Sequence, residues 1–221
     1  MYEKLYLLQD KIFKILSELQ IDFYLTGGTA LSRVYLNHRY SDDLDFFIND
    51  SDKFKKQIDI IINKFEQKKV KFNVKLKAER FCSIFIDEND TILKLDFVND
   101  IPFKIGKLIS LDLYPRIDNP LNILSNKISA LGRFESKDIV DILFIARSYE
   151  FNWKEIIEST KKKDSWVNPI EISKIIFEFP ISKFEEIKWI KNESFKEMDS
   201  DLNIISKDIL LAANNSLFKK S

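Results

Sequence analysis

Apolar residues recur at helical spacing from the start of the chain. Leu5, Leu8, Ile12, Leu16 and Leu19 predict an amphipathic helix over about residues 3–19. Residues 21–25 are short, aromatic and β-branched, and predict a strand. This strand runs into Thr26-Gly27-Gly28-Thr29, after which residues 30–36 read as helix. A second strand is expected at 43–48. Ser51 reads as the N-cap of a helix reaching Gln67, with Phe54, Ile58, Ile61, Ile62 and Phe65 turned inward. Strand patterns follow at 71–76, 81–86 and 91–98, the last two joined across Asp87-Glu88-Asn89-Asp90. Beyond Pro115 the period changes, and helices are expected at 120–133, 136–149, 153–162, 169–177, 182–191 and 202–218. The predicted class is α+β, with a mixed-sheet N-terminal domain over residues 1–116 and a helical C-terminal domain over 117–221.

Composition adds exclusions. The 221 residues are 45% hydrophobic, enough for one large or two modest cores. Thirty-five basic residues balance thirty-five acidic ones, so net charge says nothing about a nucleic-acid partner. Lysines crowd residues 53–80, with a second run at Lys161, Lys162 and Lys163. Such runs form either a solvated face or a surface turned to RNA or phosphate. Cys82 is the only cysteine, which rules out an intrachain disulfide and a cysteine-based zinc site. His38 is the only histidine, so Ser-His-Asp or Cys-His catalysis would depend on it, and it reads as a surface-loop residue. The chain opens on a charged amphipathic segment and has no apolar run of about 18 residues, so a cytoplasmic protein without a membrane span is expected.

The candidate chemistry lies in carboxylates. In the 43–48 strand, alternation puts Asp43, Asp45 and Phe47 on one face and Leu44, Phe46 and Ile48 on the other. Two ionised carboxylates side by side repel unless a cation or proton neutralises them. Magnesium takes oxygen ligands, often one or two carboxylates plus substrate phosphates. The pair therefore points to a metal–phosphate site, or to a merely acidic surface. Asp96 sits mid-strand among Leu93, Leu95 and Phe97, where unpaired burial would be costly. It is either held by a lysine or joins Asp43 and Asp45 as a third carboxylate. In the second case Asp96 becomes a metal ligand or the general base.

Gly27 and Gly28 supply two of the four glycines, adjacent between a predicted strand and helix. Paired glycines allow close backbone approach, and a helix start favours an anion. Thr29 can cap the helix or donate to phosphate, and a plain structural turn is the alternative. The turn is neither a Walker A loop nor a dinucleotide fingerprint, since the residues required by each are missing.

Taken together, Leu25-Thr26-Gly27-Gly28-Thr29-Ala30-Leu31 and Tyr35-Leu36-Asn37-His38-Arg39-Tyr40-Ser41-Asp42-Asp43-Leu44-Asp45-Phe46 resemble the AbiEii/AbiGii toxin family of nucleotidyltransferases, within the DNA polymerase β-like superfamily. Its glycine motif corresponds to Gly27, Gly28 and Thr29, and its basic-Ser-D-x-D motif to Arg39, Ser41, Asp43 and Asp45. Later motifs resemble Lys127 with Arg133, and Asp138 with Asp141. The likeness covers roughly residues 20–145. It implies a nucleotidyltransferase core that moves a nucleoside monophosphate from an NTP to an acceptor, RNA (a tRNA 3′ end) or protein, with pyrophosphate released. It also implies Mg2+ or Mn2+ on Asp43, Asp45 and Asp96, and nucleotide contacts from Gly27, Gly28, Thr29, Arg39, Ser41, Lys127, Arg133, Asp138 and Asp141. Arg39 would neutralise phosphate or hold Asp42; Asp138 and Asp141 would orient the nearby cations or the nucleotide, or form an ordinary salt-bridge network. Toxin action in a toxin–antitoxin or abortive-infection system, with an antitoxin partner, is the biological expectation. The alternatives are transfer to a small molecule such as an aminoglycoside, and a non-catalytic nucleotide-binding protein.

Overall fold

The computed structural model of the chain describes residues 2–219. It divides into two compact units, Met1–Ala30 with Ser41–Asn119, and Leu31–Tyr40 with Pro120–Ser221. The linear reading places a boundary near residue 116; the assignment of Leu31–Tyr40 to the helical unit has no counterpart in it.

In the first unit, α1 (Tyr2–Ser17) precedes β1 (Tyr24–Thr26), and α2 (Gly27–Ala30) follows at once. Next come β2 (Leu44–Asn49), α3 (Phe54–Gln67), β3 (Phe72–Lys77), β4 (Phe81–Glu88) and β5 (Thr91–Asp100). The strands form one sheet in the order β1-β2-β5-β4-β3. β2 and β5 run parallel, and every other neighbouring pair is antiparallel. The hairpin between β4 and β5 turns on Asn89 and Asp90, both at positive φ, the conformation that a two-residue turn needs.

Alternation decides the faces. Leu44, Phe46 and Ile48 of β2 and Leu93, Leu95 and Phe97 of β5 are buried. Phe46 stacks on Phe97 at 5.3 Å, while Phe13 of α1 meets Phe46 edge-on at 6.3 Å. Phe23 bridges Phe54 of α3 and Phe97 at 5.7 and 5.1 Å. This aromatic core fixes one face of the sheet under α1 and α3 and leaves the Asp45–Asp96 face for chemistry. The α3 helix starts later than Ser51 would set it. Its N-cap is Lys53, and the Ser51 hydroxyl accepts the Lys53 N–H at 3.2 Å instead.

The second unit holds a π-helical turn (Leu31–Leu36), α4 (Pro120–Ser129), a 3-10 turn (Ala130–Arg133), α5 (Ser136–Ser148), α6 (Trp153–Lys161), α7 (Pro169–Phe177), a second 3-10 turn (Ile181–Glu186) and α8 (Phe195–Leu210). Three helices are capped alike. Asn152, Asn168 and Ser194 each accept the N–H of a glutamate three residues on, at 3.3, 2.9 and 3.4 Å. The last of these corrects the expected 202–218 helix: Ser194 starts α8 earlier, and Ala212 at φ 52 ends it. The expected 182–191 helix is only the short turn. Ile123, Leu124, Ile128, Ile139, Val140, Ile142, Leu143 and Trp153 are buried in the core of this unit. No helix among the described residues is long and apolar enough to cross a membrane.

Candidate active site

One row of residues crosses the open face of the sheet. Register pairs Thr26 of β1 with Asp45, Asp45 with Asp96, and Asp96 with Ser83 of β4. Directly paired residues point the same way, so Asp45 and Asp96 stand on adjacent strands about 4.8 Å apart on one face. Asp43 precedes β2 by one residue, two before Asp45. The convergence that alternation allowed for Asp45 and Asp96 is thus a property of the β2–β5 pairing.

Each flank of the row is tied down. Gly27 has φ +68, and a Cβ built on it would lie 2.3 Å from Oδ2 of Asp45. The Asp45 carboxylate therefore fills the space that any other residue at position 27 would take. Thr26 Oγ1 donates to Oδ2 of the buried Asp118 at 2.7 Å. Thr29, fully buried, donates its hydroxyl to the carbonyl of Asp43. The glycine turn is thereby bonded to the aspartate motif, and the Thr29 hydroxyl is engaged with Asp43 rather than standing open to phosphate. The Ser41 carbonyl accepts from Gln9 Nε2 at 3.0 Å, which anchors the approach to Asp43.

Asp96 is held from two sides. Ser83 Oγ donates to its Oδ1 at 2.7 Å, and Lys94 Nζ lies 2.6 Å from its Oδ2. Burial alone would lower the Lys94 pKa. The Asp96 hydrogen bond and the charges of Asp96, Asp43 and Asp45 outweigh it and raise that pKa above the ordinary lysine value. One ammonium thus sits within the field of all three carboxylates. Asp96 has a lysine partner, and it pairs with Asp45 on the neighbouring strand. Lys94 is announced by alternation, two residues from Asp96. Ser83 and Asp118 depend on register and long-range contact, and carry no local signal.

The row suits a hard divalent cation. The donors are carboxylate oxygens, and the missing Cβ of Gly27 leaves the Asp45 oxygen its place. Among the described residues, no group of three His, Cys, Asp or Glu side chains is gathered closely enough to hold a metal ion.

The helical unit holds a separate charge cluster. Asp141, fully buried, receives Arg39 Nε at 2.8 Å, Arg39 Nη2 at 2.7 Å, His38 Nε2 at 2.9 Å and Lys127 Nζ at 2.7 Å. Asp138 takes Lys127 at 2.7 Å and Arg133 at 3.1 Å. Burial would raise the Asp141 pKa, but Arg39 and Lys127 hold it well below the usual carboxylate range. One expectation changes here. His38 is a buried partner of Asp141 rather than a surface-loop histidine. The Arg39 guanidinium donates to Asp141 and to the Tyr40 carbonyl. Lys127 is mostly enclosed between Asp138 and Asp141, whereas the Arg133 side chain is 66% exposed. Within the lysine-rich stretch, Lys64 and Lys68 pair with Glu18, Lys71 with Asp87 and Lys77 with Asp59, as a solvated surface does.

Residues 12–208 match the sequence model of a family described as the nucleotidyl transferase AbiEii toxin of type IV toxin–antitoxin systems. The chain belongs to the AbiEii family. An uncharacterised Aquifex aeolicus protein is 29% identical over 161 residues, spanning 64% of this chain and 66% of that one. The Helicobacter pylori protein JHP933 is similar in structure, with a TM-score of 0.67 at 19% identity, covering 93% of this chain and 90% of the other. A second H. pylori structure, of a candidate nucleotidyltransferase, gives 0.65 at 20% identity over 92% and 93%. These structural likenesses identify the fold, an α+β nucleotidyltransferase core with helices following. The AbiEii family is described as one of nucleotidyl transferases from type IV toxin–antitoxin systems.

Proposed function

We propose that this AbiEii protein transfers a nucleoside monophosphate from an NTP to a hydroxyl acceptor, releasing pyrophosphate, and that this transfer is its toxic activity. The observation that carries the reading is the in-register pairing of Asp45 with Asp96 beside Gly27. Asp43, Asp45 and Asp96 would hold magnesium, which when bound offsets phosphate charge and acidifies a bound hydroxyl.

The chain's own residues divide the remaining work. Gly27 and Gly28 let the phosphates approach the backbone. Thr29 fixes the carbonyl of Asp43 and so holds the carboxylate pair against the glycine turn. Asp96, steadied by Ser83 and Lys94, accepts the proton of the attacking hydroxyl. Lys94 holds the Asp96 carboxylate in place until substrate arrives. Arg133, to which the family resemblance gives a nucleotide contact, is the exposed cation of the Asp138 cluster.

Purified protein, magnesium, each labelled NTP in turn and bulk tRNA provide the test, with Asp45→Asn as control. Label on RNA that is lost in the variant supports the reading and identifies the nucleotide. Label on protein keeps the reaction and changes the acceptor. Absence of label on RNA, protein or small-molecule acceptors, with no magnesium-dependent NTP binding, refutes it. In cells, expression of the wild type should arrest growth and Asp45→Asn should not.

A further inference from the structure

The outer part of the sheet carries chemistry that nucleotide transfer has not yet used. Register pairs Lys94 with Phe85 and Asp96 with Ser83. It then pairs Phe85 with Asn73 and Ser83 with Leu76 on the edge strand β3. These residues share the face that carries Asp96. A shift in register between Val74 and Leu76 puts Leu76 opposite Ser83. Plain alternation from Phe72 and Val74 would have sent Leu76 to the core side. The irregularity therefore turns a leucine out of the core and toward the carboxylate face, where it is 52% exposed. Ile92, on the same face of β5, is 66% exposed. Between them lies the partly exposed Phe85, with Lys75 Nζ 5.9 Å from the ring centroid.

The position of this strip relative to the carboxylates suggests its use. In a phosphoryl transfer the attacking and leaving oxygens stand on opposite sides of the phosphorus. On the reading above, Gly27 and Gly28 receive the phosphates at the β1 side of Asp45. The acceptor then comes from the opposite side, past Asp96 and over β4 and β3. That approach crosses an aromatic ring, two aliphatic side chains and an ammonium. A flat apolar surface beside a cation matches a nucleobase and its phosphate, the combination by which single strands are held without regard to sequence.

We infer that Phe85, Leu76 and Ile92, with Lys75, seat the terminal unpaired nucleotide of a nucleic-acid acceptor, its base against Phe85 and its phosphate on Lys75. The inference rests on the transfer reading with an RNA acceptor and adds the acceptor's seat.

The test is binding of a fluorescent single-stranded RNA decamer with a free 3′ end, read by anisotropy without NTP or metal. Phe85→Ala and Lys75→Ala should each weaken binding by about 5–100-fold, the range expected for losing one stacked base or its charged partner. Phe85→Leu keeps apolar bulk but loses the flat ring face, and it should weaken binding as well. It serves if the alanine variant does not fold. Lys68→Ala, at a lysine paired with Glu18 outside the strip, should bind RNA as the wild type does. A 3′-terminal 4-thiouridine should photo-crosslink to residues 73–94. Crosslinks confined to other segments, or unchanged binding in all three strip variants, overturn the inference. Wild-type protein that labels a protein or small molecule and does not bind the decamer overturns it too, while leaving nucleotide transfer intact. Strip-dependent RNA binding with no transfer to any acceptor supports the seat and removes the transfer reading.

Discussion

Replacing Gly27 by alanine tests the link between the glycine turn and Asp45 directly. The new Cβ would stand 2.3 Å from Asp45 Oδ2, 3.1 Å from its Cγ and 3.2 Å from its Cβ. Ordinary contact begins near 3.4 Å, so the carboxylate must retreat by about 1 Å, a displacement that costs on the order of 100-fold in rate when the moved group is catalytic. The backbone adds its own penalty. At φ +68 an L-residue pays about 1–2 kcal/mol, which in a chain of this size lowers Tm by roughly 2–8 °C. Gly106 separates the two effects. It has φ +67 and its nearest neighbour is the Asn119 side chain at 3.0 Å, away from the carboxylate row. Gly106→Ala should lower Tm similarly while keeping transfer activity, whereas Gly27→Ala should lose both. The assay is a thermal melt together with kcat for NTP turnover on the acceptor. Gly27→Ala turnover within about threefold of wild type, with Tm reduced, would refute the claim that the glycine exists to make room for Asp45.

Four further outcomes are expected. Asp141→Ala leaves Arg39 and Lys127 buried without their shared carboxylate and should cost about 3–5 kcal/mol by denaturant titration, with little change if the cluster is dispensable. Burial holds the His38 pKa below the ordinary value despite the Asp141 hydrogen bond, and Nδ1 is buried without a hydrogen-bond partner, so the folded state disfavours the imidazolium. The unfolded chain therefore binds the extra proton first, and stability should fall as pH drops from about 6.5 toward the lowered folded pKa. Asp141 adds a second loss below about pH 4; His38→Gln should remove the first loss only, as read by melts from about pH 2 to pH 8. Lys94→Gln removes the ammonium beside Asp96 and should lower the magnesium concentration needed for half-maximal turnover, whereas an unchanged requirement would mean that Lys94 does not compete with the ion. Arg133→Ala, at an exposed side chain, should raise KM for NTP with Tm nearly unchanged; unchanged KM removes Arg133 from nucleotide binding.

Local periodicity made much of the first unit legible. The alternation of Leu44, Phe46 and Ile48 against Asp43 and Asp45 is the burial pattern observed, and the same holds for Leu93, Leu95 and Phe97 against Asp96. What alternation leaves open is which strands are neighbours. The parallel register of β2 and β5 comes from packing Phe46 on Phe97 beneath the helices, an interaction 51 residues apart. The bulge that turns Leu76 outward is equally invisible to a period-two pattern. In the helical unit, Ser194-Phe195-Lys196-Glu197 has the spacing of a helix start, and reading it would have placed α8 correctly. His38 misleads because histidine beside a charged loop reads as exposed, while its burial depends on Asp141, 103 residues away.

The ten residues from Leu31 to Tyr40 have a consequence for inheritance and engineering. They leave the sheet-bearing unit after its glycine turn, supply His38 and Arg39 to Asp141, and return just before the aspartates. A gene cut between Asn119 and Pro120 would yield a downstream product whose Asp141 has lost three of its four donor bonds. The upstream product would carry a ten-residue excursion with its ion-pair partners gone. Neither half is a cassette. Recombination that swaps the helical part alone, as a means of changing target, would have to carry this short upstream segment with it. In this architecture new specificity is therefore expected to arise by substitution within the helices more readily than by exchange of them.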